Sequence, residues 1–226
     1  MNEYSKRVIL ALDTVNLTKI NFLFKELKDT IEIVKIGFQS FIYFGPEIIR
    51  KANDSGFKVF LDLKLHDIPN TVEKAVESCI KHNVYMITLH ISGGKAMLEN
   101  AVSIKNKYLS EIKLLGVTIL TSFDENTFEE LNYKLSIEEM VKYYAKIGKY
   151  AGLDGIICSP REIKILRQEI GSEMLIITPG IRIIDGKDDQ KRTMTPREAF
   201  EAGADYIVVG RPILESDNPK NFFTKI

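Results

Sequence analysis

The sequence predicts an α/β chain folded as a single (β/α)8 TIM barrel, with its active site at the C-terminal ends of the strands. Three observations carry that prediction. Eight short apolar runs alternate with stretches of helical periodicity. No Ser/Gly-rich linker or break in composition divides the series. Charged and hydroxyl residues recur where the apolar runs stop. Continuous apolar runs mark strands buried on both faces, as in a parallel sheet covered by helices, and a count of eight favours closure over an open sheet. A length of 226 residues suits one such barrel, taken as one domain over residues 1–226.

In chain order, Val8 to Leu12 is the first apolar run; it stops at Asp13 and is followed by Ile20, Leu23, Phe24 and Leu27 at helical spacing. Ile31 to Val34 leads to Lys35 and Gly37, with Phe41, Ile42, Ile48 and Ile49 on the next helix. Lys58 to Leu61 runs into Asp62, after which Asn70 or Thr71 is placed to cap a helix through Val76 and Ile80. Tyr85 to Leu89 ends at His90, before Ser92-Gly93-Gly94. Leu114 to Leu120 ends at Thr121-Ser122, and a helix starts near Ser136 with Glu138 and Glu139 in its first turn. Gly155 to Cys158 ends at Ser159-Pro160, Met174 to Ile177 at Thr178-Pro179-Gly180, and Tyr206 to Val209 at Gly210-Arg211-Pro212.

Composition narrows the function. Lysine plus arginine and aspartate plus glutamate both number 31, so no net charge draws the chain to nucleic acid or to an anionic membrane. An anionic ligand must be caught locally. No apolar run is long enough to span a bilayer. Cys79 and Cys158 stand far apart with no signal peptide ahead of them, which reads as reduced thiols in a cytoplasmic protein. His66, His82 and His90 have no metal-binding spacing, so no metal is expected.

In a closed barrel Asp13, Lys35, Asp62, Lys64, His90, Thr121, Ser159, Arg182 and Arg211 share one rim, where barrels keep their chemistry. Phe60 to Val72 is the most informative stretch, because Asp62, Lys64 and Asp67 crowd the end of a buried strand. Such charges either face water or line a site. With Lys35 they form an alternating array in which every charge has an opposite neighbour, an arrangement that makes burial tolerable and keeps a lysine protonated. Asp13 is open to either a helix cap or a ligand contact. Pro179-Gly180-Ile181-Arg182 and Gly210-Arg211 end the last two strands, where barrels bind phosphate, although both glycines also suit plain turns. The polar stretch from Ile183 to Thr195, with Gly186, Asp188, Asp189 and Gln190, is long enough to act as a lid.

At these residues the sequence resembles the orotidine 5'-phosphate decarboxylase family nearly end to end, from Ala11-Leu12-Asp13 to Val209-Gly210-Arg211-Pro212. The most specific segment is Asp62-Leu63-Lys64-Leu65-His66-Asp67-Ile68-Pro69-Asn70-Thr71. Val34 to Gly37, His90 to Gly94, Val117 to Ser122, Thr178 to Arg182, and Asp189-Gln190 through Met194-Thr195-Pro196 also match. Leu65 replaces the family's usual phenylalanine, and Ile183 a common proline. The resemblance implies conversion of orotidine 5'-phosphate to UMP and carbon dioxide, the last step of UMP synthesis, with no cofactor and no metal. It implies that Lys35, Asp62, Lys64 and Asp67 are catalytic, with Asp62 facing the departing carboxylate and Lys64 delivering the proton. Asp13 and Lys35 would contact the ribose, and Thr121 and Ser122 the pyrimidine. Gln190 would bridge base and phosphate, while Pro179, Arg182, Gly210 and Arg211 line the phosphate end. Asp67, Ile68 and Thr71 would reach the neighbouring subunit's site in a homodimer.

Two rivals stay open on sequence alone. One is a metal-dependent sugar-phosphate enzyme on the same barrel, such as keto-gulonate phosphate decarboxylase or hexulose phosphate synthase, with an acidic ligand near the second strand where this chain has Lys35. The other is a barrel that binds UMP without turnover.

Overall fold

Period-two alternation decides the architecture. In the first strand Val8 and Leu10 pack with helix residues, while Ile9 and Ala11 belong to a second cluster with Ile33, Phe60, Met86, Leu115, Ile177 and Val208. A strand that buries both faces must have a different apolar partner on each side. Here helices cover one side, and the inward side chains of the other strands fill the other. The computed structural model describes residues 3–181 and 194–226.

The strands are β1 (Val8–Ala11), β2 (Ile33–Gly37), β3 (Lys58–Leu65), β4 (Met86–His90), β5 (Lys113–Val117), β6 (Gly155–Ile157), β7 (Leu175–Thr178) and β8 (Tyr206–Val209). All adjacent pairs are parallel, and β8 returns to β1, so the sheet closes into an eight-stranded barrel. The helices are α1 (Leu17–Leu27), α2 (Phe38–Phe44), α3 (Glu47–Asp54), α4 (Pro69–Lys81), α5 (Lys95–Lys107), α6 (Glu125–Glu130), α7 (Ile137–Ala151), α8 (Ile163–Ile170), α9 (Pro196–Ala202) and α10 (Arg211–Leu214). The (β/α)8 barrel expected from the sequence is therefore the fold.

Local signals behave as their chemistry requires, with three exceptions. Ser136 caps α7 through a reciprocal box with Glu139, as the acidic first turn foretells. α4 has no cap from Asn70 or Thr71. Pro69 is its first residue and Ile68 its N-cap, because proline at the first helical position has a preset φ and no N–H to satisfy. β3 does not stop at Leu61 but continues to Leu65, so Asp62 and Lys64 lie within the strand. The apolar run to Leu120 leaves the ladder after Val117, its Ile119 buried against the helix-facing core instead. Cys79 and Cys158 are buried free thiols, and burial pushes the Cys79 thiol up to about 12.

Candidate active site

The inner barrel layer that holds Ile9, Ile33, Phe60 and Met86 is followed, two residues further along each strand, by Ala11, Lys35, Asp62 and Thr88. Parity alone aims these side chains into the barrel mouth. Lys35 Nζ lies 3.3 Å from Asp62 Oδ2 and 3.5 Å from Asp13 Oδ1. Lys64 Nζ donates to Asp62 Oδ1 at 2.8 Å, and the Thr88 hydroxyl donates to the same oxygen at 3.0 Å. Both oxygens of Asp62 are thus engaged, and its side chain is only 12% exposed.

Burial alone would raise the Asp62 carboxyl. The charges of Lys35 and Lys64, with hydrogen bonds from Lys64 and Thr88, outweigh it and hold the group below its ordinary range. Dehydrating an ion costs several kcal/mol, so such an array is weak support for stability and strong support for a site where charge must be kept in place. Gly37 makes room for it: a Cβ there would stand 3.1 Å from Lys35 Nζ and 3.4 Å from Asp13 Oδ1. The face of Phe38 lies 5.8 Å from Lys64 Nζ.

A cavity of about 980 Å³ opens at this rim. Asp13, Lys35, Asp62, Lys64, Thr121, Pro179, Gly210 and Arg211 line it, with Phe60, Ile157 and Val208 as an apolar floor. Gly180 also lines it and has φ 80°, a left-handed turn that glycine adopts without steric cost. Such a surface, apolar at depth with charged groups at defined points, is what a small anionic ligand needs.

Of the remaining expected site residues, Asp67, Ile68, Thr71 and Ser122 stand outside this cavity lining. Asp67 does not join the array within one chain. Its carboxylate accepts the Ile68 N–H at 2.7 Å, and it is exposed, because the backbone turns outward after Leu65. Ile68 is 66% exposed, Thr71 is exposed on α4, and Ser122 lies in the turn beyond Thr121 outside the cavity lining. Asp13 is no helix cap, since Asn16 caps α1 by accepting from Lys19 N–H. Arg182 and Gln190, with most of the expected lid, lie outside the described residues. His90 comes within 5.4 Å of His66, ring to ring. Burial, then the neighbouring His66 and Lys64, holds its imidazole below the usual value. Sequence reading passed over Thr88; its signal was a lone hydroxyl inside the apolar run Met86 to Leu89, at the same parity as His90.

The family model described as orotidine 5'-phosphate decarboxylase / HUMPS family matches residues 6–226. A relative from Wolbachia sp. subsp. Brugia malayi, named orotidine 5'-phosphate decarboxylase, is 46% identical over 214 residues, covering 95% of this chain and 94% of its own. A relative of the same name from Carboxydothermus hydrogenoformans is 42% identical over 219 residues, covering 95% of this chain and 91% of its own. Among solved structures, orotidine 5'-phosphate decarboxylase from Lactobacillus acidophilus superposes with a TM-score of 0.83 at 37% identity, covering 97% of this chain and 96% of its own. With the strand order, the charged rim and nearly the whole length in agreement, the chain belongs to the orotidine 5'-phosphate decarboxylase / HUMPS family.

Proposed function

We propose that this protein removes carbon dioxide from orotidine 5'-phosphate to give UMP, the last step of UMP synthesis, and does so without metal or cofactor. The observation that carries the reading is a lysine ammonium held 2.8 Å from a buried carboxylate in a cavity large enough for a nucleotide. The name shared by relatives 42–47% identical supports it.

Arg211, Gly210, Pro179 and Arg182 hold the phosphate, Asp13 and Lys35 the ribose, and Thr121 and Ser122 the pyrimidine, with Gln190 bridging base and phosphate. The substrate carboxylate is thereby brought toward Asp62. Two carboxylates ~4 Å apart repel by about 4 kcal/mol at an effective dielectric of ~20, so phosphate binding must offset that cost. The ring–carboxylate bond then breaks, its electron pair stays on the ring carbon, and carbon dioxide leaves. Lys64 transfers one ammonium proton to that carbon and later regains one from water. The barrier reduction required lies toward the top of the ~8–23 kcal/mol that enzymes supply, more than one contact provides. Lys64 serves because its charge stabilises the carbanion that replaces the lost anion.

Lys35 favours the metal-free reading. Its ammonium already pairs Asp13 and Asp62, and a divalent cation would have to displace it. Among the described residues no three His, Cys, Asp or Glu side chains converge as a metal site. We further read residues 1–226 as one cytoplasmic domain working as a homodimer, in which Asp67, Ile68 and Thr71 complete the neighbouring subunit's site. Exposed Phe38 and Ile68, following adjacent strands beside the cavity, support a covered face there. The test is an absorbance assay with orotidine 5'-phosphate, with and without excess chelator. Turnover unchanged by chelator is expected; absence of turnover, or its loss with chelator, would overturn the reading.

A further inference from the structure

β3 and β4 fall out of register at the site. Leu61 pairs with Ile87 and Leu65 with Leu89, so Asp62, Leu63 and Lys64 stand opposite Thr88 alone. A bulge of this kind leaves backbone groups without ladder partners. Lys64 carries the distortion, with φ 45°, a left-handed conformation that side chains with a Cβ resist. Its N–H finds an acceptor not in the β4 backbone but in the Thr88 hydroxyl, at 2.8 Å.

The same hydroxyl donates its proton to Asp62 Oδ1 at 3.0 Å. An ionised carboxylate only accepts and an amide N–H only donates, so both bonds are fixed in direction. Thr88 is 0% exposed, so its hydroxyl makes both bonds out of contact with solvent. One side chain therefore ties the strained backbone of Lys64 to the carboxylate that holds the Lys64 ammonium. The triangle Lys64 N–H, Thr88 Oγ1, Asp62 Oδ1 closes through the 2.8 Å contact of Lys64 Nζ with the same Oδ1.

We propose that Thr88 is a positioning residue for the Asp62–Lys64 pair. Its hydroxyl does in the bulge what a backbone carbonyl does in a regular ladder, and so keeps the ammonium aimed into the cavity. The inference rests on the decarboxylase reading for its kinetic consequence, and on geometry alone for its structural one.

The test compares the full-length protein with Thr88→Val, which keeps the shape and removes the hydroxyl, and Thr88→Ser, which keeps the hydroxyl. For Thr88→Val kcat should fall about tenfold or more, the ~1.4 kcal/mol equivalent of one hydrogen bond to a charged group, with KM and UMP affinity within about threefold. Thr88→Ser should recover kcat to within about threefold of the parent. If the valine variant does not fold, Thr88→Ala takes its place in each measurement. A hydroxyl-free variant with parental kcat, or a serine variant as slow as valine, would overturn the proposal. Crystal structures of parent and hydroxyl-free variant decide the geometry independently of turnover. Release of Lys64 from its left-handed backbone or from Asp62 is expected, and an unchanged Lys64 would remove the role. A parent protein inactive on orotidine 5'-phosphate would instead sink the decarboxylase reading, while the crystallographic comparison would still decide whether Thr88 positions Lys64.

Discussion

Lys64 Nζ lies 2.8 Å from Asp62 Oδ1, although the two residues belong to one strand and only Leu63 separates them. In a regular strand, residues two apart are about 6.6 Å apart along the chain and project in parallel. At this point β3 bulges and Lys64 turns left-handed, so the longer side chain folds back onto the shorter one. Lys35 approaches the opposite oxygen of Asp62 at 3.3 Å from the neighbouring strand. A carboxylate clamped between two ammonium groups is poor at accepting a proton, which is why the Asp62 carboxyl is held below its ordinary range despite its burial.

Lys64→Ala follows directly from that clamp. Turnover should fall by at least about a thousandfold, ~4 kcal/mol of transition-state stabilisation, while UMP still binds. Single-turnover kinetics beside calorimetry of UMP binding checks both halves, and activity within about tenfold of the parent would remove Lys64 from proton delivery.

Arg211 lines the cavity from the start of α10 and is exposed at its rim. Arg211→Ala should raise KM by about tenfold or more with a smaller effect on kcat, the loss of a charge-assisted contact to phosphate. Steady-state kinetics decides it; an unchanged KM places the phosphate elsewhere.

The outward position of Asp67 makes a subunit-mixing experiment informative. Lys64→Ala and Asp67→Asn should each be inactive alone. Mixed and allowed to exchange, they should regain up to about a quarter of parental activity, because half of the dimers are hybrids and each hybrid has one intact site. No recovery after exchange, verified by sedimentation and mass spectrometry, would place Asp67 in its own chain's site.

His90 predicts a pH dependence of stability. Its folded-state value is below the ordinary 6.5, so between the two values the unfolded chain binds more protons than the folded one. The contribution is complete above about 6.5 and is lost as pH falls toward the depressed folded value. Urea titrations between about pH 7 and pH 5 should show stability falling with pH, and His90→Asn should flatten that slope. An equal slope in the variant would show that other groups cause it.

Much of the site is legible in the order of residues alone, and the reason is local. Asp13, Lys35 and Asp62 are inward by parity, because alternation along a strand is a property of the backbone itself. Gly210-Arg211 is legible because a glycine and arginine at a strand end report a turn and a cation with no reference to partners. Asp67 is misplaced by the same kind of reading for the converse reason. Spacing puts it with its neighbours in a single chain's array, whereas the turn after Leu65 carries it out to the surface.

The sequence by itself determined the eight alternating units, the charged residues at the strand ends and the family, since all three depend on patterns along the chain. Only the tertiary structure decided that β3 bulges against β4, that Lys64 bends back onto Asp62, and that Thr88 holds both. Those facts depend on the register between two strands. Register is fixed by how the whole barrel packs, so it cannot be read from either strand alone.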